Sequence, residues 1–274
     1  MNTLYLKTKK QVKETIKECV RKVFRFQPGY EFAPANSIQR QTMSFVFRGR
    51  TLTVESDHTT PLYETIAEIV DFDCYQLSQV EFSGDPQSVV LDIGAHIGIA
   101  AVVLAQLTPG GVVCFEPFRR NGELLQANLK LNRLNNVQLV QAAVTETDGN
   151  VEFEVNPGIS VIGHVAQTVK GDPLAFSQRF QVPSVSLRKA LAPFPNATID
   201  MIKMDCEGGE YAIVDQIGPD LARRIKHLTL EVHDIDPQRN ISALTERLKS
   251  LGYRILYKKE MHNRLGLHHL LASR

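Results

Sequence analysis

The feature of the chain that most restricts its fold is an alternation of short apolar runs with helical stretches, which begins at Ser88. Five segments follow one another in this alternation, at residues 88–93, 98–107, 111–115, 118–131 and 137–140. The alternation is typical of right-handed β-α-β units, whose strands form a parallel sheet. The apolar runs contain few polar residues, which fits strands that are covered on both faces. This part of the chain is therefore predicted to be α/β.

The C-terminal part of the chain supplies the rest of the predicted sheet. Apolar runs at residues 199–204 and 228–232 precede a helical pattern at residues 241–251, and two closing runs follow, at residues 253–257 and 265–271. A closing pair after five parallel strands predicts an antiparallel hairpin at one sheet edge. Residues 86–274 are thus predicted to form a Rossmann-like domain, a seven-strand, mostly parallel sheet with helices on both faces.

Residues 1–85 are predicted to form an N-terminal α+β appendage that covers the substrate. Residues 7–26 have the spacing of an amphipathic helix, and residues 1–26 carry eight Lys or Arg against two Glu. This helix either lies on an anionic surface or docks on its own protein with a solvated basic face, which is the favoured interpretation. β-rich runs at residues 43–47 and 51–55 predict a hairpin, and residues 61–70 predict a helix.

Composition narrows the class of protein. The 274 residues carry a net charge of +1, so no overall field favours nucleic acid as a partner. No apolar run reaches the length of a membrane span, and the first thirty residues lack the apolar core of a signal peptide. The four cysteines form no CxxC pair, which favours reduced thiols. We expect a cytoplasmic protein that contacts neither nucleic acid nor a membrane interior.

A glycine-rich turn follows the first strand of the alternation. Residues 90–98 place Asp92 at the strand end and glycines at Gly94 and Gly98. Open α/β sheets bind ligands at the carboxyl ends of their strands. A dinucleotide-binding turn has the pattern G-x-G-x-x-G. In this chain His96 occupies the position of the middle glycine, which argues against a dinucleotide. An acidic edge suits a cationic ligand such as S-adenosylmethionine, although many glycine-rich turns bind nothing.

Glu116 ends the next strand, about twenty residues after the turn. A carboxylate at this place can accept hydrogen bonds from both hydroxyls of an adenosine ribose. The alternative is an exposed loop glutamate. Two acids at neighbouring strand ends with this spacing favour the ligand-binding interpretation.

Residues 200–210 form a third candidate segment. Lys203 and Asp205 point to the same side of a strand, and a lysine in so apolar a run must either be paired or extend its ammonium group to water. Asp205, Glu207 and Glu210 cluster at the end of this strand. A salt-bridged strand followed by an acidic helix start would give the same pattern.

A fourth segment places Glu231 and His233 on one side of the next strand. His233 lies at the carboxyl end, where it is a candidate general base. A single histidine is more often structural than catalytic, so both interpretations stay open.

Together these segments resemble the FkbM-type family of class I S-adenosylmethionine-dependent methyltransferases. The phrases that carry the resemblance are VVLDIGAHIG, VVCFEPF, NNVQLVQAAVTETDG and IDMIKMDCEGGEYAIV. The last is close to the family's Lys-x-Asp-x-Glu-Gly-x-Glu stretch. The similarity extends over residues 80–233. Two departures are His96, where the family often has Asn, and Leu187-Arg188, where it commonly has Leu-Asp.

The resemblance implies a cofactor that lies across the ends of the first two strands. By position, Asp92, Gly94, Ala95 and Gly98 form the loop under the methionine part of S-adenosylmethionine, and His96 lies in the same loop. Glu116 holds the ribose. The remaining implied residues are Ala142 and Ala143 near the adenine, and Asp205 and Glu207 at the reaction centre. O-methylation of a sugar or natural-product hydroxyl, in secondary metabolism, is the implied chemistry, with a small-molecule acceptor.

Several mechanisms fit these residues. Asp205, Glu207, His233 or His96 could serve as the base that an alcohol nucleophile needs. A carboxylate could instead hold a magnesium ion, but no clean ligand triad appears, so a metal-free route is favoured. Residues 156–181 show no clear period and are expected to cover a site. The alternative functions are an NAD(P)-dependent oxidoreductase on a related fold and a non-catalytic binding module.

Overall fold

The structure is a computed structural model that describes residues 40–57, 60–156, 159–165, 178–262 and 266–274. The predicted amphipathic helix at residues 7–26 lies outside these ranges. Within them, no helix combines the length and the apolar character that crossing a membrane requires.

The described residues form thirteen strands. In chain order they are β1 (Gln41–Phe47), β2 (Arg50–Ser56), β3 (Val89–Ile93), β4 (Gly111–Phe115), β5 (Val137–Val140), β6 (Ala143–Thr145), β7 (Gly149–Asn156), β8 (Ile159–Val165), β9 (Gln178–Ser186), β10 (Ile199–Met204), β11 (Ile225–His233), β12 (Arg254–His262) and β13 (Leu267–Ser273).

Helices fill the connections between the strands. In chain order they are α1 (Leu62–Ile66), which continues into a π-helical turn at Ala67–Asp71, a 3₁₀ turn at Leu77–Gln79, α2 (Ile99–Leu107), α3 (Arg119–Leu131), α4 (Leu187–Leu191), α5 (Glu210–Asp215), α6 (Pro219–Ala222) and α7 (Ile241–Ser250).

The main sheet has the predicted seven strands in the order β12-β13-β11-β10-β3-β4-β5. Strands β5, β4, β3, β10 and β11 are parallel, and β13 runs antiparallel to β11. The predicted Rossmann-like sheet with its antiparallel edge hairpin is therefore confirmed. Every residue of β3, β4 and β10 is buried, which explains why these strands read as continuous apolar runs.

The hairpin of β1 and β2 is present as predicted and packs on α3. Leu52 and Val54 are buried in the same apolar cluster as Val90 of the main sheet. The side chains of Asn128 and Asn132 bind the backbone of β2 through the amides of residues 55 and 53, at 2.7 and 2.9 Å. The hairpin and the sheet thus share one core.

A second sheet, of order β6-β9-β7-β8, was not predicted. Residues 159–165, inside the segment expected to be irregular, form β8, whereas residues 157–158 and 166–177 lie outside the described ranges. Irregular chain is therefore the wrong interpretation of residues 159–165 and 178–181, whereas the expectation that this segment covers a site stays a prediction. Apolar Val151, Phe153 and Val155 alternate with Glu152 and Glu154 in β7, a period-two signal of a half-buried strand.

Candidate active site

A cavity of about 800 Å³ opens at the carboxyl ends of β3, β4, β10 and β11. The turn after β3 and the end of β4 form its floor. Phe153 and Val155 of β7 line one side, Glu68 and Tyr75 from the segment before the sheet line another, and His269 of β13 lines a third. Segments between residues 61 and 269 thus border the edge of the sheet at which the parallel strands end.

The cavity collects seven of the eleven residues predicted for the site: Gly94, Ala95, His96, Glu116, Ala143, Asp205 and Glu207. The other four, Asp92, Gly98, Ala142 and His233, lie behind the lining. Asp92 and Ala142 are fully buried.

Gly94 and Gly98 are required by contacts within the protein. Both have left-handed φ angles, of 74° and 84°. A Cβ on Gly94 would lie 1.7 Å from the carbonyl oxygen of Asp205, and a Cβ on Gly98 would lie 2.7 Å from Leu125 Cγ. Gly94 therefore allows the turn after β3 to pass directly against the end of β10, which brings two ligand-edge segments together.

Glu116 joins the end of β4 to the turn after β3. Its Oε2 accepts a hydrogen bond from the His96 amide at 2.8 Å, and its Oε1 accepts one from the Phe118 amide at 2.8 Å. Burial raises the pKa of Glu116 to about 7, although these hydrogen bonds oppose the shift. The carboxylate thus lines the cavity and also holds the turn after β3 against the end of β4 through hydrogen bonds.

His96 is neutral at physiological pH. Burial lowers its pKa to about 4. Its Nε2 lies 3.5 Å from Thr60 Oγ1, and its φ of 49° is the left-handed conformation that the turn demands.

Lys203 is buried at the centre of a network, so of the two predicted alternatives the lysine is paired and does not reach water. Its Nζ donates to the Gly94 carbonyl at 2.7 Å and lies 3.1 Å from Asp92 Oδ1 and 3.6 Å from Asp205 Oδ2. Burial lowers the pKa of Lys203, but Asp92 and Asp205 outweigh it and raise the pKa above its usual value. The lysine stays charged and ties β3 to β10.

Tyr75 completes the environment of Asp205 and was missed by the sequence analysis. Its hydroxyl donates to Asp205 Oδ2 at 2.6 Å, and its ring lies 5.1 Å from Lys203 Nζ. Burial raises the pKa of Asp205, but Lys203 and Tyr75 outweigh it and lower the pKa below its usual value. No motif surrounds Tyr75 in the sequence, so no local signal pointed to it.

His233 lies among carboxylates. Its Nε2 is 3.2 Å from Glu207 Oε2, and its Nδ1 is 3.5 Å from Glu210 Oε1. Burial lowers the pKa of His233, but hydrogen bonds to Glu207 and Glu210 raise it to about 11. The imidazole therefore carries its proton at neutral pH, where it acts as a cation that holds Glu207 and not as a proton acceptor.

A second histidine–carboxylate pair was also missed. Glu231 of β11 and His269 of β13 are direct partners in the strand register, and His269 Nε2 lies 3.0 Å from Glu231 Oε2. The sequence analysis placed Glu231 beside His233 without a role. The polar pair His268-His269 within the apolar run of β13 was the available signal.

The charge of the lining fits S-adenosylmethionine, whose sulfonium and ammonium groups are cationic. Six carboxylates line the cavity, at residues 64, 68, 116, 205, 207 and 231, against two lysines, at residues 203 and 259. The diphosphate of a dinucleotide would bring negative charge into this acidic lining. In the part of the chain that the structure describes, no group of three or more His, Cys, Asp or Glu side chains is arranged to hold a metal ion.

Solved structures with a similar chain path include three methyltransferases. The precorrin-6y C5,15-methyltransferase of Geobacter metallireducens is 15% identical with a TM-score of 0.44, covering 80% of this chain and 92% of its own. Aeropyrum pernix fibrillarin, solved with S-adenosyl-L-methionine, is 11% identical and has a TM-score of 0.46. The match covers 84% of this chain and 81% of fibrillarin. The 16S rRNA N2 G1207 methyltransferase of T. thermophilus is 16% identical and has a TM-score of 0.47. The match covers 94% of this chain and 60% of that methyltransferase.

No curated protein matches the sequence significantly. Residues 92–255, however, match the family model described as the methyltransferase FkbM domain. The match extends over more than half of the chain and includes the turn after β3, Glu116, the Lys203 network and Glu231. The protein therefore belongs to the FkbM family of S-adenosylmethionine-dependent methyltransferases.

Proposed function

We propose that the protein methylates a hydroxyl of a small polar acceptor, a sugar or a natural product. The observation that supports this most is the enclosed acidic cavity. Its volume of about 800 Å³ is within the range of about 300–1,000 Å³ that small-molecule sites have. A nucleic-acid acceptor would bring phosphates to six carboxylates, whereas a neutral polyol would find many hydrogen-bond acceptors there.

The cofactor-binding half of the proposed site lies over β3 and β4. Bound S-adenosylmethionine supplies a methyl carbon that is electrophilic because it is attached to a sulfonium sulfur. Glu116 is proposed to accept the ribose hydroxyls. The loop residues Gly94, Ala95, His96 and Gly98 are proposed to lie under the methionine part, with Ala142 and Ala143 near the adenine. Asp92 acts on this loop through Lys203, which holds the Gly94 carbonyl.

The reaction end of the proposed site lies over β10 and β11. Methyl transfer is an in-line displacement, so the protein contributes mainly orientation. Asp205 and Glu207 line the cavity and are proposed to accept hydrogen bonds from the acceptor. His233 lies behind the lining and is proposed as a positioning residue that fixes Glu207.

A labelled-methyl assay tests the acceptor class. Purified protein is incubated with methyl-labelled S-adenosylmethionine and, separately, with free monosaccharides, nucleoside-diphosphate sugars, phenolic natural products, RNA and a protein mixture. We expect label in a small-molecule product as a methyl ether. Labelled RNA or protein without any labelled small molecule would contradict the proposal.

The Asp205→Asn variant links the reaction to the cavity. Turnover should fall by about 100-fold or more, since misplacement of a reactant by 1 Å can cost this much. Glu246→Gln is the matched control, because Glu246 is an exposed acid on α7 whose side chain pairs with Lys249. Equal turnover in both variants would place the reaction elsewhere.

A further inference from the structure

Glu231 stands beside Asp205 at the reaction end of the cavity. Met204, the residue before Asp205, pairs in register with Leu230, the residue before Glu231. The Glu231 side chain lines the cavity and is 21% exposed, so a bound acceptor can reach it.

His269 fixes the orientation of Glu231. Its Nε2 lies 3.0 Å from Glu231 Oε2, and because an ionised carboxylate can only accept, this nitrogen carries the hydrogen. The imidazole is buried and lies with its ring centroid 6.2 Å from that of Tyr75. The contact occupies one carboxylate oxygen of Glu231, while Oε1 lies 3.8 Å from His233 Nε2, beyond hydrogen-bond distance.

The neighbouring acids of the cavity are held by stronger partners. Asp205 accepts a hydrogen bond from the Tyr75 hydroxyl at 2.6 Å and lies 3.6 Å from the Lys203 ammonium. Glu207 is paired with the protonated His233 at 3.2 Å. Despite its burial, Asp205 has a pKa below its usual value because of Lys203 and Tyr75, and Oε2 of Glu207 is occupied by His233, so both are poorly suited to accept a proton.

We propose that Glu231 accepts the proton of the acceptor hydroxyl and that His269 is its positioning residue. This inference rests on the proposed O-methylation. The acceptor O–H bond breaks and its proton passes to the Glu231 carboxylate. The electron pair left on oxygen forms the bond to the methyl carbon, while the pair of the breaking carbon–sulfur bond returns to sulfur.

The surroundings of Glu231 favour this role. The titratable groups that face it are Lys203 of β10 and Asp205 after it, Cys74 and Tyr75 from the segment before the sheet, His233 on its own strand and His269 on β13. Burial and Asp205 raise the pKa of Glu231, whereas His269 and His233 oppose the shift. A carboxylate with a raised pKa is a better general base near neutral pH.

A titration of the resting protein provides the first test and needs no acceptor. The side-chain carboxyl carbons of glutamate are labelled with ¹³C, and the Glu231 signal is assigned by its absence in Glu231→Gln. We expect a midpoint above the ordinary value of 4.5, and a further rise in His269→Gln, because the opposing imidazole is gone. A midpoint at or below 4.5 would overturn the proposal.

Kinetics provide the second test, with whichever small molecule the labelled-methyl assay identifies. Glu231→Gln should lower kcat by about 10²–10⁴-fold, the usual contribution of a positioned base. Its affinity for S-adenosylhomocysteine should stay within about twofold, which also shows that the variant folds. The acidic limb of the wild-type pH–rate profile should match the NMR midpoint and vanish in the variant.

The outcomes separate the two proposals. If the wild type methylates a small molecule and Glu231→Gln does so within about threefold, the assignment of Glu231 is wrong and O-methylation stands. If the wild type labels RNA or protein alone, both proposals are wrong, because no small-molecule hydroxyl then passes its proton to Glu231. Glu246→Gln, far from the cavity, should match the wild type in every measurement.

Discussion

At the scale of single residues, burial and close partners make one histidine of the site neutral and another cationic. Burial lowers the pKa of His96 to about 4. Burial also lowers the pKa of His233, but Glu207 and Glu210 raise it to about 11. The sequence placed both histidines at the ligand edge as candidate bases. It could not assign their charges, because Glu207 reaches His233 only through the pairing of β10 with β11.

The charge of His233 predicts a pH dependence of stability. The pKa of the folded state lies above the ordinary 6.5, so protonation stabilises the fold fully below 6.5 and this stabilisation is lost as pH rises toward 11. The free energy of unfolding of the wild type, relative to His233→Asn, should therefore fall between pH 6.5 and 9. Urea unfolding at several pH values measures it, and a constant difference would refute the charge assignment.

At the scale of elements, the register between β3 and β10 fixes the centre of the site. Asp92 and Lys203 are direct partners across the two strands, and Gly94 allows the turn after β3 to touch the end of β10. The strands themselves were predictable, because buried parallel strands are continuous apolar runs. Their spatial neighbours were not, since strand order depends on packing across the whole sheet. Tyr75 was missed for this reason.

The buried network predicts a specific pattern of stability. Lys203→Met should cost about 3–5 kcal/mol of unfolding free energy, because it leaves the buried Asp92 and the partly buried Asp205 without their cation. Adding Asp92→Asn should recover part of this loss, since one of the two charges is removed. Chemical denaturation of both variants measures the effect. A double variant no more stable than the single one would show that Asp92 and Lys203 are not coupled.

At the scale of the whole molecule, segments outside the family-matched residues 92–255 complete the cavity. Tyr75 and Glu68 precede that stretch and His269 follows it, yet all three line the same space. The main-sheet strands of the matched stretch were predictable from its sequence pattern, whereas the second sheet within it was not. The walls of the cavity were not predictable either, because they depend on how residues 61–75, the second sheet and strands β12 and β13 pack over the carboxyl ends of the parallel strands.

The shared core predicts that the hairpin stabilises the entire fold. Leu52 is 2% exposed within the cluster that includes the sheet, so Leu52→Ala should cost about 2–5 kcal/mol. Val46 lies on the other strand of the same hairpin and is 66% exposed, so Val46→Ala should change stability by less than about 0.5 kcal/mol. Thermal unfolding followed by circular dichroism compares them. Equal melting temperatures would mean that the hairpin does not contribute to the core.

Calorimetric titration of S-adenosylmethionine, and separately of NAD, tests most directly the claim that the acidic cavity holds this cofactor. We expect the wild type to bind S-adenosylmethionine and not NAD. Glu116→Ala should bind it more weakly by about 1.5–3 kcal/mol, the cost of losing hydrogen bonds to a charged group. The variant should be less stable too, since the His96 and Phe118 amides lose their acceptor. Binding of NAD alone would show that the cavity does not hold S-adenosylmethionine. Unchanged S-adenosylmethionine affinity in a folded Glu116→Ala variant would show that Glu116 does not contact it.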